Sequence, residues 1–514
     1  MSWNADREAL CIGVVGCGTM GRGIAQIAAQ AGIRVRLFDQ QAGAVQAARG
    51  AIGEVLQRLV DKGRMTPVAL QAALDCLQPA DSLSALADCD LVVEAIVERL
   101  EAKRELLLAL EAVLREDAIL ASNTSSLSVT AMAAVCQRPG RVAGWHFFNP
   151  VPLMKIVEVV AGTLTEPWVC DTLLALAKRL GHTGVLARDL PGFIVNHAGR
   201  GFAPEGLRIL SEGVADVQTV DRILRDVAGF RMGPFELTDL IGLDVSLAVM
   251  DSIYEQFYHE PRFKPSALAR AQVAAGLYGR KTGRGFYVYA DGAPMLDPEP
   301  ALPACSVADW PPVWVSNAEP DLAQSLRQAL QAVGARLEQG STPSASALIL
   351  LTPLGQDVTS AALAQGLDAR RALGVDCLFA PLRGLEQRRT LMASPATDPA
   401  MRDAAHAMLG AGGVPVSLIR DSAGFVAQRI VAQIISVGCD IAQQRVASPA
   451  DIDLGVRLGL GYPMGPLAMG DALGPRRVLG ILEQMLAITG DPRCRPSPWL
   501  RRRALLGLSL LSAD

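Results

Sequence analysis

The stretch RDLPGFIVN at residues 188–196 returns as RDSAGFVAQ at 420–428, and RMGPFELTDLIG at 231–242 returns as PMGPLAMGDALG at 463–474. Both pairs are 232 residues apart, and Asp221 and Asp453 keep the same offset. Two motifs that recur at one fixed spacing mean that one folded unit has been duplicated. The 514 residues therefore divide into several domains instead of sharing one core. After DLPGFIVN the pattern turns to long helical segments with few strand signals, up to GRKTGRGFYVY. The repeated unit is read as an all-α domain, first over 188–290 and again over 413–514.

Ahead of the first copy the texture is α/β. CIGVV at 11–15 is a short apolar run, GCGTMG follows directly, RGIAQIAAQ is an alanine-rich helical pattern ended by Gly32, and RVRLFD alternates and closes on Asp39. That is a βαβ unit. Further strand candidates are DLVVEAI (90–96), AILASN (118–123), RVAGWHFF (141–148), KIVEVV (155–160) and TGVLARD (183–189), with room for helices between several of them. A Rossmann-type doubly wound domain over 1–187 is expected. Residues 291–312 are proline-rich and read as a linker. Residues 313–412 read as a degenerate Rossmann-like segment: HFFNP (146–150) lines up with CLFAP (377–381), which sets Cys377 against His146, and no glycine fingerprint precedes it. One competent site per chain is expected.

Composition narrows the function. A formal net charge of −4 supplies no overall basic field for nucleic acid. The N-terminus lacks a basic n-region ahead of its apolar run, which does not fit a secretory signal, and no apolar run reaches the ~18–20 residues of a membrane span. Ten cysteines lie scattered without a CxxC pair, which suits reduced thiols in a cytoplasmic protein with no metal site.

Gly16, Gly18 and Gly21 have the GxGxxG spacing. The first permits the tight turn, the second lets a pyrophosphate approach the backbone, and the third lets helix and strand pack closely. The motif alone is weak; its place after a strand and before a helix, with Asp39 closing the next strand, makes it a dinucleotide fingerprint. Asp39 would accept the adenosine ribose hydroxyls and repel a 2′-phosphate, and Gln40 and Gln41 follow it instead of an arginine, so NAD is expected over NADP. Arg34 and Arg36 read as solvent-facing strand residues.

Oxidising a secondary alcohol takes a base, a group that orients it, and polar donors at the oxygen. Of five histidines, His259 and His406 read as surface residues, His182 as a helix C-terminal residue, and His197 as either structural or functional. His146 sits near a strand end, where open α/β sheets place ligands. Glu158 stands in the neighbouring apolar strand, where a carboxylate is costly unless partnered. On local pattern alone His146 fits a satisfied core histidine as well as a base.

ASNTSSLSV, HFFNPVPLMKIVEVV, DLPGFIVN, MGPFELTDLIGLD and GRKTGRGFY together resemble the L-3-hydroxyacyl-CoA dehydrogenase family, in that family's order, over residues 8–290, and the repeat extends the likeness over 413–514. The resemblance implies that His146 takes the 3-hydroxyl proton, Glu158 orients the imidazole, and Ser125 and Asn196 hold the 3-oxygen. It places Glu98, Lys103 and Asn123 near the nicotinamide ribose, and the site in a cleft whose helical side contributes Asn196. It implies an acyl-CoA substrate. It also implies either a homodimer or an intrachain pseudo-dimer, since the helical domain forms the dimer interface in shorter relatives. Gln428 standing where Asn196 stands in the first copy marks the duplicate as structural.

The duplicated arrangement, with RPSPWLRRRALLGLSL near its end, resembles the dehydrogenases of bacterial phenylacetate degradation, a β-oxidation-like route of fatty-acid type. That implies oxidation of 3-hydroxyadipyl-CoA to 3-oxoadipyl-CoA. The alternatives are 3-hydroxybutyryl-CoA and, on the same scaffold, a free hydroxy acid such as L-gulonate. A Rossmann module that only binds NAD is the non-enzymatic reading. Residues 501–503, RRR, read as a solvated helix face.

Overall fold

The computed structural model describes residues 4–513, so residues 1–3 and 514, at the outer bounds of the two end domains, lie outside it. By contact the chain forms two compact units, Met1–His197 with Gln444–Leu460, and Ala198–Gln443 with Gly461–Asp514. The units do not follow the two sequence copies, because residues 444–460 of the second copy belong with the first unit.

The first unit holds eight strands: β1 (Cys11–Val15), β2 (Arg34–Phe38), β3 (Leu77–Pro79), β4 (Leu91–Glu94), β5 (Ile119–Ser122), β6 (Val142–Phe147), β7 (Ile156–Ala161) and β8 (Thr183–Arg188). They lie in the order β3-β2-β1-β4-β5-β6-β7-β8, parallel except between β6 and β7. All residues of β1, β4, β5 and β6 are buried, which is why they read as unbroken apolar runs: helices cover both faces of a parallel sheet. The helix Thr19–Gln30 follows β1 and buries Ile24, Ala25, Ile27, Ala28 and Ala29. The helix Pro449–Leu460 packs on β7 and β8. Its Gly459 admits Val195, whose Cγ1 lies 2.8 Å from where a Cβ would stand.

The second unit opens with the first helical copy, closed by a hairpin of β9 (Tyr289–Ala290) and β10 (Ala293–Pro294). A second sheet follows, of β11 (Val313–Val315), β12 (Leu348–Leu351), β13 (Ala372–Val375), β14 (Arg389–Ala393) and β15 (Val416–Arg420), in sequence order. Its pairings are parallel, parallel, antiparallel and parallel, the pattern of β4 to β8. What the second sheet lacks is the β1–β2–β3 half, which carries the glycine turn.

Register corrects one expectation about this copy. Ala161 pairs with Arg188 and Ala393 with Arg420; Gly144 pairs with Val160 and Gly374 with Met392. Gly374 therefore stands for Gly144, and two residues on Asp376, not Cys377, takes the place of His146. The Asp376 N–H donates to Thr390 O at 3.0 Å, which puts Thr390 at the position of Glu158. The sequence alignment slipped because FFNP and LFAP anchor it beyond the strand, after an extra residue in the turn. Gln428 donates from Nε2 to Asp376 Oδ1 (3.0 Å) and to Pro353 O (3.1 Å), and its Oε1 accepts the Gly355 N–H at 2.9 Å. Side chains of the copy itself fill its former site.

Within this unit the two helical copies pack directly on one another. The helix Val426–Gln443 lies on the helix Ala203–Ser211 and the turn Gly199–Gly201, where a Cβ on Gly201 would stand 2.7 Å from the Ile434 backbone. Buried Arg429 pairs with Glu205 and Glu212, both at 2.7 Å. The segments PRFKPS (261–266) and PRCRPS (492–497) are a further repeat. Their arginines reach across reciprocally, Arg262 to Asp440 at 2.7 Å and Arg493 to Glu205 at 2.9 Å. Of the RRR stretch, Arg501 and Arg502 are exposed, but Arg503 is buried with its guanidinium 3.2 Å from the centre of the Trp499 ring. His406 is also buried, on a helix enclosed from Ala404 to Gly410, and is not the surface residue its local pattern suggested.

Candidate active site

Antiparallel pairing of β6 and β7 sets His146 directly opposite Glu158. His146 Nδ1 lies 2.6 Å from Glu158 Oε2. Glu158 is fully buried, and its Oε1 accepts the N–H groups of Ile194 and Val195, each at 2.9 Å. With two backbone donors on its other oxygen the buried Glu158 acts as an acceptor, and an acceptor facing Nδ1 favours the tautomer with the proton on Nδ1 and the lone pair on Nε2. Phe148 and Phe193 flank the imidazole at centroid distances of 4.4 and 5.9 Å. The strand pairing, the carboxylate and the two rings together fix the plane of the imidazole.

Asn196 Nδ2 donates to Ser125 O at 3.3 Å, and both residues belong to the first unit. Asn196 thus stands with the Rossmann-type sheet, although in sequence it opens the first helical copy. Ser125 is held through Glu98: Oε1 of Glu98 accepts from Thr124 Oγ1 (2.7 Å), Ser125 N (2.9 Å), Ser126 Oγ (3.0 Å) and Ser126 N (3.1 Å). Burial alone would raise the Glu98 carboxyl; Lys103 and these hydrogen bonds outweigh it and hold the group below the usual glutamate range. Lys103 is itself buried, 2.8 Å from Glu94 and 3.3 Å from Glu98. It bridges two carboxylates inside the domain. Asn123 Oδ1 accepts the Phe147 N–H at 2.9 Å, tying the end of β5 to the end of β6 beside His146.

The glycine turn has the sterics the fingerprint demands. Gly16 has φ +97°, and a Cβ there would stand 2.5 Å from Ala95 O. A Cβ on Gly21 would lie 1.8 Å from Gly16 O, whereas one on Gly18 would meet nothing within 4 Å. Gly18 is the N-cap of the helix Thr19–Gln30, which has no side-chain cap and no acidic residue in its first turn. Its first N–H groups thus have no side-chain cap, and with the space beside Gly18 this fits a pyrophosphate. Asp39 accepts the Cys17 N–H (2.6 Å) and the Gln41 N–H (2.8 Å), so it braces the glycine turn.

Two supports escaped the sequence reading. Asp189 accepts from Ser128 Oγ (2.7 Å), Val129 N (3.0 Å) and Thr130 N (2.6 Å), fixing the start of the helix that follows SNTSS. Asp421 does the same for Val358 and Thr359 in the second sheet, and the aspartate shared by RDLPGF and RDSAGF was the available signal. His182 spans Val151 O (2.9 Å) and Leu180 O (3.1 Å), tying down the loop between β6 and β7.

The family of 3-hydroxyacyl-CoA dehydrogenase NAD-binding domains matches residues 11–190, and that of the C-terminal domains matches residues 192–289 and 424–509. A 3-hydroxyadipyl-CoA dehydrogenase of Escherichia coli K12 is 39% identical over 96% of this chain and 97% of its own. A probable 3-hydroxybutyryl-CoA dehydrogenase of Deinococcus radiodurans is 41% identical over 54% of this chain and 99% of its own. A crystal structure described as 3-hydroxybutyryl-CoA dehydrogenase from E. coli K12 superposes with a TM-score of 0.84 at 36% identity, covering 97% of this chain and 98% of that one. With both domain families matched in order and the second helical copy matched again, the chain belongs to the 3-hydroxyacyl-CoA dehydrogenase family, as an oxidoreductase that uses NAD.

Proposed function

We propose that the chain oxidises 3-hydroxyadipyl-CoA to 3-oxoadipyl-CoA, with His146 as base and Glu158 as the group that orients it. The 2.6 Å bond between His146 Nδ1 and the fully buried Glu158 carries the mechanistic reading. Nε2 takes the proton of the 3-hydroxyl as the carbonyl forms, and the imidazolium is stabilised by the carboxylate behind it. Ser125 and Asn196 supply donors for the 3-oxygen and hold its lone pairs away from Nε2. NAD, when bound, accepts the hydride from the 3-carbon. Gly16, Gly18 and Gly21 would hold its pyrophosphate and Asp39 its adenosine ribose. Glu98, Lys103 and Asn123 would shape the floor under the nicotinamide ribose.

The adipyl substrate is supported by the E. coli relative of that name, 39% identical over 96% of the chain; the E. coli crystal structure described as 3-hydroxybutyryl-CoA dehydrogenase also spans both copies and makes the butyryl thioester the alternative. Measuring kcat/KM for 3-hydroxyadipyl-CoA and 3-hydroxybutyryl-CoA side by side tests this. Preference for the adipyl thioester by ~10-fold or more supports the proposal, and preference for the butyryl thioester overturns it. The reciprocal Arg262–Asp440 and Arg493–Glu205 pairs between helical copies further support an intrachain pseudo-dimer. Light scattering should then give one 54.3 kDa chain per particle, and twice that mass would refute it.

A further inference from the structure

At the end of the first sheet away from the glycine turn, Cys11 opens β1 and Cys89 lies in the turn before β4. Both side chains are fully buried, and their Sγ atoms lie 3.6 Å apart. Several features bring them together. The Cys11 N–H donates to Asp90 Oδ2 at 2.9 Å, which draws the turn onto β1. The Cys89 N–H closes on Leu86 O at 2.9 Å, ending the short helical turn Leu83–Leu86. Gly13 leaves room above the strand: a Cβ there would stand 3.3 Å from Cys89 Sγ.

The surroundings suit a thiolate. The hydrogen bond shared with Cys89 draws the Cys11 thiol below the usual cysteine range, against the opposing effect of burial, and Arg34, paired with Cys11 across β1 and β2, adds to it. The Cys89 thiol is pushed the other way, first by that same hydrogen bond and then by burial. The two thiols share one hydrogen bond, so ionising either one is supported by the proton of the other. Asp88 lies beside the pair with Arg34 and Arg36 on its carboxylate, and Asp88 and Arg34 are about half exposed, so the thiols adjoin side chains that reach solvent. The Asp88 carboxylate completes a group that could ligate a soft cation. Arg36, 2.8 Å from Asp88, already satisfies that carboxylate, and two guanidinium charges oppose a metal ion there.

We propose that Cys11 and Cys89 are a closable dithiol, joined as a disulfide by a hydroperoxide and stapling the amino ends of β1 and β4. The Cys11 thiolate attacks the peroxide oxygen, the O–O bond breaks, and Cys11 becomes a sulfenic acid as hydroxide leaves with a proton as water. Cys89 sulfur then attacks Cys11 sulfur, the S–O bond breaks, and a second water departs with the Cys89 proton. Two thiols lose two electrons and two protons, and hydrogen peroxide becomes two waters. The sulfurs must approach by about 1.5 Å from their 3.6 Å separation to reach bonding distance. The bond would close a long loop between two strands whose opposite ends carry Gly16 and Glu94, so it should stabilise the domain without blocking the cofactor turn.

The test uses the full-length protein, treated with hydrogen peroxide, then denatured and alkylated for peptide mass analysis. The expected result is a Cys11–Cys89 cross-linked peptide, two hydrogen masses lighter and restored by dithiothreitol. It should come with a rise in Tm of at least ~3 °C and kcat within ~2-fold of the reduced enzyme. Cys11→Ala and Cys89→Ala should each abolish the cross-link and the Tm gain, and either variant alone suffices if the other folds poorly. Full alkylation of both cysteines after peroxide, or the same mass loss and Tm gain in Cys11→Ala, would overturn the proposal. So would protection of both thiols by zinc with no cross-link, which would make the group a metal site.

Discussion

Replacing Glu158 by glutamine changes one oxygen to an amino group at constant shape, and the structure shows why the two orientations of the amide are unequal. Oε1 receives two backbone N–H groups, from Ile194 and Val195, and Oε2 receives only His146 Nδ1–H. Turning the new NH2 toward the two backbone donors would leave both unsatisfied in a buried place, at about 1–3 kcal/mol each. The amide therefore keeps its oxygen on the backbone and points NH2 at Nδ1. A donor facing Nδ1 selects the tautomer protonated on Nε2, which cannot take the substrate proton. Loss of general-base action corresponds to roughly 10²–10⁴ in rate, or about 3–5 kcal/mol of barrier. For Glu158→Gln we expect kcat to fall by about 10²–10³, because the wrong tautomer is disfavoured, not forbidden, while KM for NAD moves by less than ~3-fold. The assay is NADH absorbance under saturating acyl-CoA, with circular dichroism as the control for folding. A Glu158→Gln enzyme that keeps its fold and turns over within ~3-fold of the parent would refute the orienting role.

Asp39→Ala should raise KM for NAD at least ~10-fold, through the lost ribose acceptor and through a glycine turn freed from the 2.6 Å Cys17 bond. It should also narrow the preference for NAD over NADP, measured by kcat/KM with each. In the second sheet, burial pushes the Asp376 carboxyl up to about 6. A carboxyl raised in the folded state favours folding at low pH, and that contribution is lost as pH rises from about 4 through about 6, by on the order of 3 kcal/mol. Asp376→Asn keeps the acceptor for Gln428 and removes the charge, so its Tm should exceed the parent's at pH 7.5 and match it near pH 4; equal Tm at pH 7.5 would refute this.

What the sequence made legible was local. The glycine fingerprint could be read because Gly16 and Gly21 are required by backbone sterics within a few residues of themselves. His146 and Glu158 could be paired because a short connection between two strands permits one neighbour relation, yet only the register shows that they face each other. Asp189 escaped notice because its work is to cap a helix about sixty residues earlier, and no spacing rule reports that. The bridging role of Lys103 was not legible because its partner Glu94 sits on a strand it meets only in the folded chain. Asp376 was missed because a proline and a phenylalanine in the turn outweighed the strand in the alignment, although the strand carries the site. His406 was misread because its helix is enclosed along its last turns by the second sheet's own core.

The proposed oxidation requires Nε2 of His146 to take the substrate proton. His146→Gln should bind NADH with unchanged affinity, followed by fluorescence titration, while its rate of NADH formation from the preferred 3-hydroxyacyl-CoA falls by at least ~10³. Turnover within ~10-fold of the parent, with NADH binding intact, would contradict the account.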